Sequence, residues 1–174
     1  MRLIGLAVVL TFSLAFAPLA AEAQQAARVP QVGSLSTSSG SDPRAQREYA
    51  LVGFSKLFGY YPVAWEPGKF ELHWNATEAF TTGQLPVIHG GAVASLLDNV
   101  MGWATMSLLD DSENFATADL QIQFVRGAQP GLLKAQGSVV RRTRALAFCQ
   151  SEARNSEGQL VARGSATCSI FKAT

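Results

Sequence analysis

From His89 to Ser107 the chain reads HGGAVASLLDNVMGWATMS, and Asp98 is the one formally charged side chain in that stretch. Apolar residues fall on every side of the helical repeat, so this segment predicts a helix covered nearly all round. A single helix cannot cover itself. The rest of the chain has to wrap it, and that requirement constrains the architecture more than any other feature.

The wrapping is legible downstream. In FATADLQIQFV (115–125), Ala116, Ala118, Leu120, Ile122 and Phe124 alternate with Thr117, Asp119, Gln121 and Gln123, which is the period of a half-buried strand. GAQPG (127–131) reads as a turn. LLKAQGSVV (132–140), RALAFCQSEAR (144–154) and LVARGSATCSIF (160–171) read as three further strands, the last two joined through NSEG (155–158). Upstream, KFELHW (69–74) alternates after the turn Glu66-Pro67-Gly68. Before it, Leu51, Phe54, Leu57 and Phe58 recur at helical steps and predict a short amphipathic helix from Arg44 to Phe58, ended by Pro62. A short helix, a strand, a buried helix and then four antiparallel strands make an α+β domain.

The chain start has a different character. Residues 1–23 have one positive charge after Met1, an apolar stretch and the small-residue site Ala21-Glu22-Ala23, the pattern of a signal peptide cut before Gln24. Pro18 and that site favour a leader over a retained span, so no stable membrane insertion is expected. Residues 24–45 are rich in Ser, Gly and Pro and read as a linker, leaving 46–174 as the domain. The formal net charge is +1 with no basic stripe, so no nucleic-acid partner is expected. Cys149 and Cys168 lack the neighbours of a metal site and read as small buried hydrophobes, with a disulfide open only to an exported chain.

The helix itself carries the chemistry. Asp98 follows His89 by nine positions, which on a helix is about two and a half turns and about 13 Å of rise. The two side chains therefore leave on opposite sides, and a site using both ends needs a second copy of the chain. The side around Asp98 has only small neighbours, Ala94, Ser95, Gly102 and Thr105, which permits close approach. A carboxylate there is costly to desolvate without a partner. At the other end, the first helical turn presents unpaired N–H groups and the positive end of the dipole. Gly90 and Gly91 leave those groups unshielded, either for a carbonyl or oxyanion to approach or for tight packing against the sheet. His89 reads as a cap or core histidine ahead of a proton-transfer group.

His89-Gly90-Gly91 followed by AVASLLDN, then ATADLQIQFVRGAQPG, then VVRRTRALAFCQSEARNSEGQLVARGSATCSIF, resembles the hotdog-fold acyl-CoA thioesterases, in particular the phenylacetic-acid-degradation (PaaI-like) type, from about Tyr49 to Phe171. The resemblance implies a long helix wrapped by an antiparallel sheet and a homodimer, often paired into a homotetramer, with active sites between subunits. It implies Asp98 as general base or nucleophile, Gly90 as oxyanion donor, His89 as its positioning neighbour and Thr117 as a residue helping to hold water. Gly91 and Gln84 fall on the substrate side, and no cofactor or metal is implied. Family members often carry Asn six positions before the histidine, where this chain has Gly83, with Gln84 the nearest substitute. Plain alternation also places Thr117 with Asp119 on the polar face, so a bulge or a subunit contact is needed to bring it to Asp98. Arg126, Lys134, Arg141, Arg142 and Arg144 are the basic residues available to coenzyme A phosphates, and the sequence does not choose among them.

Three readings follow. The first is hydrolysis of an acyl-CoA thioester, the second a non-catalytic acyl-CoA-binding hotdog module, and the third a hotdog hydratase or dehydratase, which pairs its histidine and carboxylate differently. Residues 1–46 separately resemble the leader of an ABC-transporter substrate-binding protein. The leader points to export, whereas acyl-CoA chemistry points to the cytoplasm and to a mis-called or chimeric chain start.

Overall fold

The computed structural model describes residues 53–172. The leader, the linker and the first part of the expected N-terminal helix lie outside them. Six strands form one antiparallel sheet around a single long helix. In chain order the elements are α1 (Gly53–Phe58), β1 (Tyr61–Glu66), β2 (Lys69–Ala76), a 3₁₀ turn (Glu78–Phe80), α2 (Gly90–Met106), β3 (Glu113–Phe124), β4 (Gly131–Arg142), β5 (Leu146–Arg154) and β6 (Leu160–Lys172). The strand order across the sheet is β1-β2-β4-β5-β6-β3, so β1 and β3 are its edges.

Two local expectations are corrected. Gly59, at φ 73°, ends α1 by turning its N–H and that of Tyr60 back to the Ser55 carbonyl. Pro62 instead sits in β1, a strand the sequence reading did not find. β1 is tolerant of a proline because it lies on a sheet edge, and its pairing with β2 is bulged between Pro62 and Ala64.

α2 lies on the sheet with Leu96, Leu97, Val100, Met101 and Ala104 fully buried. Each of the larger of these side chains contributes about 1.5–3 kcal/mol through burial. Many inward residues of the central strands are small: Ala135 and Gly137 on β4, Ala147 and Ala153 on β5, Ala162 and Ala166 on β6. Small residues in those positions let helix and sheet approach closely. Gly137 marks the tightest point, where an added Cβ would stand 2.7 Å from the Val100 carbonyl oxygen. That obstacle is backbone and cannot rotate away. We expect Gly137→Ala to destabilise the fold by about 1–3 kcal/mol, read as a lowered urea midpoint at unchanged m.

Both cysteines are buried and free, on neighbouring strands. Among the described residues, no helix is long and apolar enough to cross a membrane.

Candidate active site at the two ends of the central helix

His89 is the residue at which the extended chain enters α2, with φ −57° and ψ 134°. Its backbone N–H donates to the Phe80 carbonyl, and that of Ile88 donates to Ala128, so the entry is fixed on both sides. The His89 Nδ1 accepts the Gly91 N–H at 3.0 Å. A Cβ on Gly91 would lie 3.0 Å from that nitrogen, so the second glycine makes room for the histidine cap. Nδ1 is therefore the unprotonated nitrogen of the ring.

The first-turn donors can be counted. The Gly91 N–H is taken by His89 Nδ1, and those of Ala92 and Val93 turn back to the His89 carbonyl at 2.9 and 3.3 Å. Among the described residues, the Gly90 N–H has no acceptor. A helix N-terminus with three of its four donors satisfied and one open is arranged to bind one oxygen. The count also separates Gly90 from Gly91: Gly91, expected on the substrate side, has its N–H committed within the chain. Phe124 on β3 lies over Gly90, its ring edge 3.1 Å from where a Cβ would stand.

Asp98 is half-buried two turns further along α2. Its Oδ1 accepts the Thr117 hydroxyl hydrogen at 2.9 Å. The contact depends on an irregularity in β3. Thr117 pairs with Cys168 and Asp119 with Thr167, which leaves Ala118 as an extra residue. Before the bulge Phe115 and Thr117 face the helix, and after it Ile122 and Phe124 do. Asp98 borders a hollow of about 210 Å³ shared with Asn99, Gly102, Trp103, Met106, Phe115 and Thr117. Its walls beyond the carboxylate are mainly apolar. Asn99 accepts from Ser55 of α1 at 3.1 Å, so the N-terminal helix is tied down beside the hollow.

Beneath Thr117 lies a group that the sequence did not single out as a unit. Thr105, fully buried on α2, has its Oγ1 3.0 Å from the Met101 carbonyl oxygen, 3.2 Å from Cys149 Sγ and 3.7 Å from Cys168 Sγ. Hydrogen bonding with Cys168 and burial push the Cys149 thiol well above the usual range, so it stays protonated.

Gln84 is exposed in the 81–88 loop and makes no hydrogen bond among the described residues. Thr82 closes that loop, its N–H on the Val87 carbonyl and its hydroxyl exchanging bonds with Leu85, while Gly83 takes φ 80° at the turn. A larger hollow of about 1140 Å³ crosses the face of the sheet turned away from α2, between outward side chains such as Gln136, Gln150, Glu152 and Arg163. No residue of α2 lines it, so it is separate from the Asp98 hollow. Among the described residues, no three His, Cys, Asp or Glu side chains gather as a metal site would require.

Within one chain the open Gly90 donor and Asp98 are separated by eight helical positions, about 12 Å of rise. Both lie against β3, Gly90 under Phe124 and Asp98 on Thr117.

The model of the thioesterase superfamily matches residues 85–162. Among solved structures, the chain is similar to a phenylacetic acid degradation-related protein of Ralstonia eutropha JMP134, with 30% identity, a TM-score of 0.63, and 66% of this chain and 87% of that one covered. A thioesterase family protein of Silicibacter pomeroyi shares the fold at 22% identity and a TM-score of 0.68, covering 73% of this chain and 95% of that one. The Escherichia coli PaaI protein from the phenylacetic acid degradation operon does so at 20% identity and a TM-score of 0.67, covering 74% and 91%. No curated protein matches the chain.

Proposed function

The chain belongs to the thioesterase superfamily, and from that premise we propose that it hydrolyses an acyl-CoA thioester to the free acid and coenzyme A, using Asp98 of one subunit and the Gly90 N–H of another. The observation that carries the reading is that an open Gly90 donor and a half-buried carboxylate, which has one hydrogen-bond partner among the described residues, both lie against β3.

The shared site rests on β3. This strand of 12 residues is an edge of the sheet whose outer side has no partner strand among the described residues, with Leu120 and Phe124 exposed in its second half and Val125 exposed just past its end. Long apolar edges of this kind call for a partner. Thr117 and Phe124 mark Asp98 and Gly90 along β3 at seven residues' separation. An antiparallel pairing of two β3 strands, centred between those positions, lays the Thr117 end of one chain on the Phe124 end of the other. The same two-fold axis then brings each Asp98 toward the partner's helix start, giving two equivalent sites.

In such a site the thioester carbonyl oxygen accepts from Gly90. Asp98 takes a proton from water, and the oxygen of that water attacks the carbonyl carbon. Negative charge collects on the carbonyl oxygen against the N–H and the helix dipole. Collapse breaks the C–S bond, coenzyme A leaves as its thiol after taking the proton back, and the acid remains. In the other route Asp98 attacks the carbonyl carbon, the C–S bond breaks so that coenzyme A leaves as a thiolate that takes a proton from water, and hydrolysis of the resulting anhydride frees the acid and Asp98. His89 keeps the first turn in place through Gly91, and Thr117 holds the carboxylate.

The full chain is expected to release free coenzyme A from members of an acyl-CoA panel, followed by a thiol reagent. Saturable binding without release from any of them would favour the acyl-CoA-binding module instead.

A further inference from the structure

The hollow beside Asp98 has a volume of about 210 Å³, roughly seven times the share of one water molecule, so it is far larger than a carboxylate and its water need. Two elements running side by side give it its shape. Along α2, Asp98, Gly102 and Met106 recur at steps of four, each about 6 Å further along the axis on nearly the same face. Along β3, Thr117 meets Asp98, and Phe115, two residues earlier and about 7 Å away, meets Gly102. A Cβ on Gly102 would stand 3.1 Å from the tip of the Phe115 ring, so the missing side chain is what lets that ring lie on the helix. Met106, the last residue of α2, ends the strip.

The chemistry of the walls changes along the strip. At one end Thr117 is bonded to Asp98. The Asn99 amide is spent within the chain, accepting from Ser55 at 3.1 Å and donating to the Ser95 carbonyl at 3.0 Å. Beyond them come Gly102, Phe115 and Met106, none of which has a side-chain N–H or O–H. Trp103 is held in place beside them by stacking on Phe70, with ring centroids 5.9 Å apart. A hydroxyl carried into that end would exchange water for hydrocarbon, at a cost that an alkyl group does not bear.

We propose that Gly102 and Met106 set the length of an unsubstituted acyl chain bound in this hollow: the open position at 102 admits the chain past Phe115, and Met106 stops it. The proposal rests on the acyl-CoA reading for what the chain is attached to. A methylene takes about the room of a water molecule, about 30 Å³, so acyl groups of up to about seven carbons fill the hollow and longer ones overrun it.

The test titrates the full chain by calorimetry with S-alkyl coenzyme A thioethers of two to twelve carbons, which have no carbonyl to attack. In the wild type, affinity is expected to rise about four-fold per methylene, the usual gain for burying one, and to level off near seven carbons. In Gly102→Ala the methyl group narrows the strip at its middle. The rise should end two or three methylenes sooner, leaving the heptyl thioether about 16- to 64-fold weaker at unchanged affinity for the ethyl one. Met106→Ala removes three heavy atoms from the far end and should extend the rise by two or three methylenes. It carries the test by itself if the pressure on Phe115 keeps Gly102→Ala from folding. A wild type that binds no thioether, or gains affinity steadily to twelve carbons, overturns the proposal. So do variants that follow the wild-type profile or lose affinity equally at every length. Binding does not require turnover, so a wild type that binds thioethers but hydrolyses no acyl-CoA sinks the hydrolase reading alone, and the length limit is still measured.

Discussion

Asp98→Asn is expected to lower kcat for acyl-CoA hydrolysis by at least about 10³-fold while leaving KM within a few-fold of the wild type. The substitution is nearly isosteric. The asparagine amide oxygen still accepts the Thr117 hydroxyl hydrogen that Asp98 Oδ1 accepts at 2.9 Å, so the hollow keeps its shape. What is removed is the ability to take a proton from water or to form an anhydride, and among the described residues no other carboxylate lines that hollow. Far-UV circular dichroism and the urea midpoint should not distinguish the two proteins. Stopped-assay release of coenzyme A at equal rates by the variant and the wild type would remove Asp98 from the mechanism.

The sequence made the scaffold legible because its signals were local. The near-uncharged helix marked one element, period-two alternation in 115–125 marked a strand that covers it, and the NSEG connection joined the two further strand runs 144–154 and 160–171. β1 escaped because Pro62 reads as a breaker, and only its place at the sheet edge makes it acceptable there. The site was legible in part for the same kind of reason. The half-turn logic of the helix separated Asp98 from the helix start, but no pattern in FATADLQIQFV says that the chain gains one residue at Ala118. Alternation alone therefore sends Thr117 to the wrong face. A capping role for His89 was legible, but which N–H it takes was hidden, because two adjacent glycines look alike until one N–H has found its acceptor. The thiols lay in different strands, and only the β5–β6 pairing places both on Thr105.

Gly90→Pro is expected to lower kcat by about 10²- to 10³-fold, the usual loss when one oxyanion donor is removed. The helix can accept this change. Gly90 is the first residue of α2, where proline fits and where no intrahelical bond is lost. His89 already holds ψ 134°, the conformation a residue before proline prefers. The added carbons meet the edge of the Phe124 ring, which is half exposed and able to turn aside. Gly90→Ala meets the same ring but keeps the N–H, so it should retain most of the turnover, and the contrast between the two isolates the donor. The pair of inactive variants then tests where the two groups come from. When Gly90→Pro and Asp98→Asn chains are co-expressed with different tags and paired at random, half of the dimers are hybrids. If each site takes Asp98 from one chain and Gly90 from the other, each hybrid has one site with both native groups, and activity returns to about a quarter of the wild-type value. If both groups act within one chain, every site in every dimer lacks one of them, and the mixture stays as inactive as its parents.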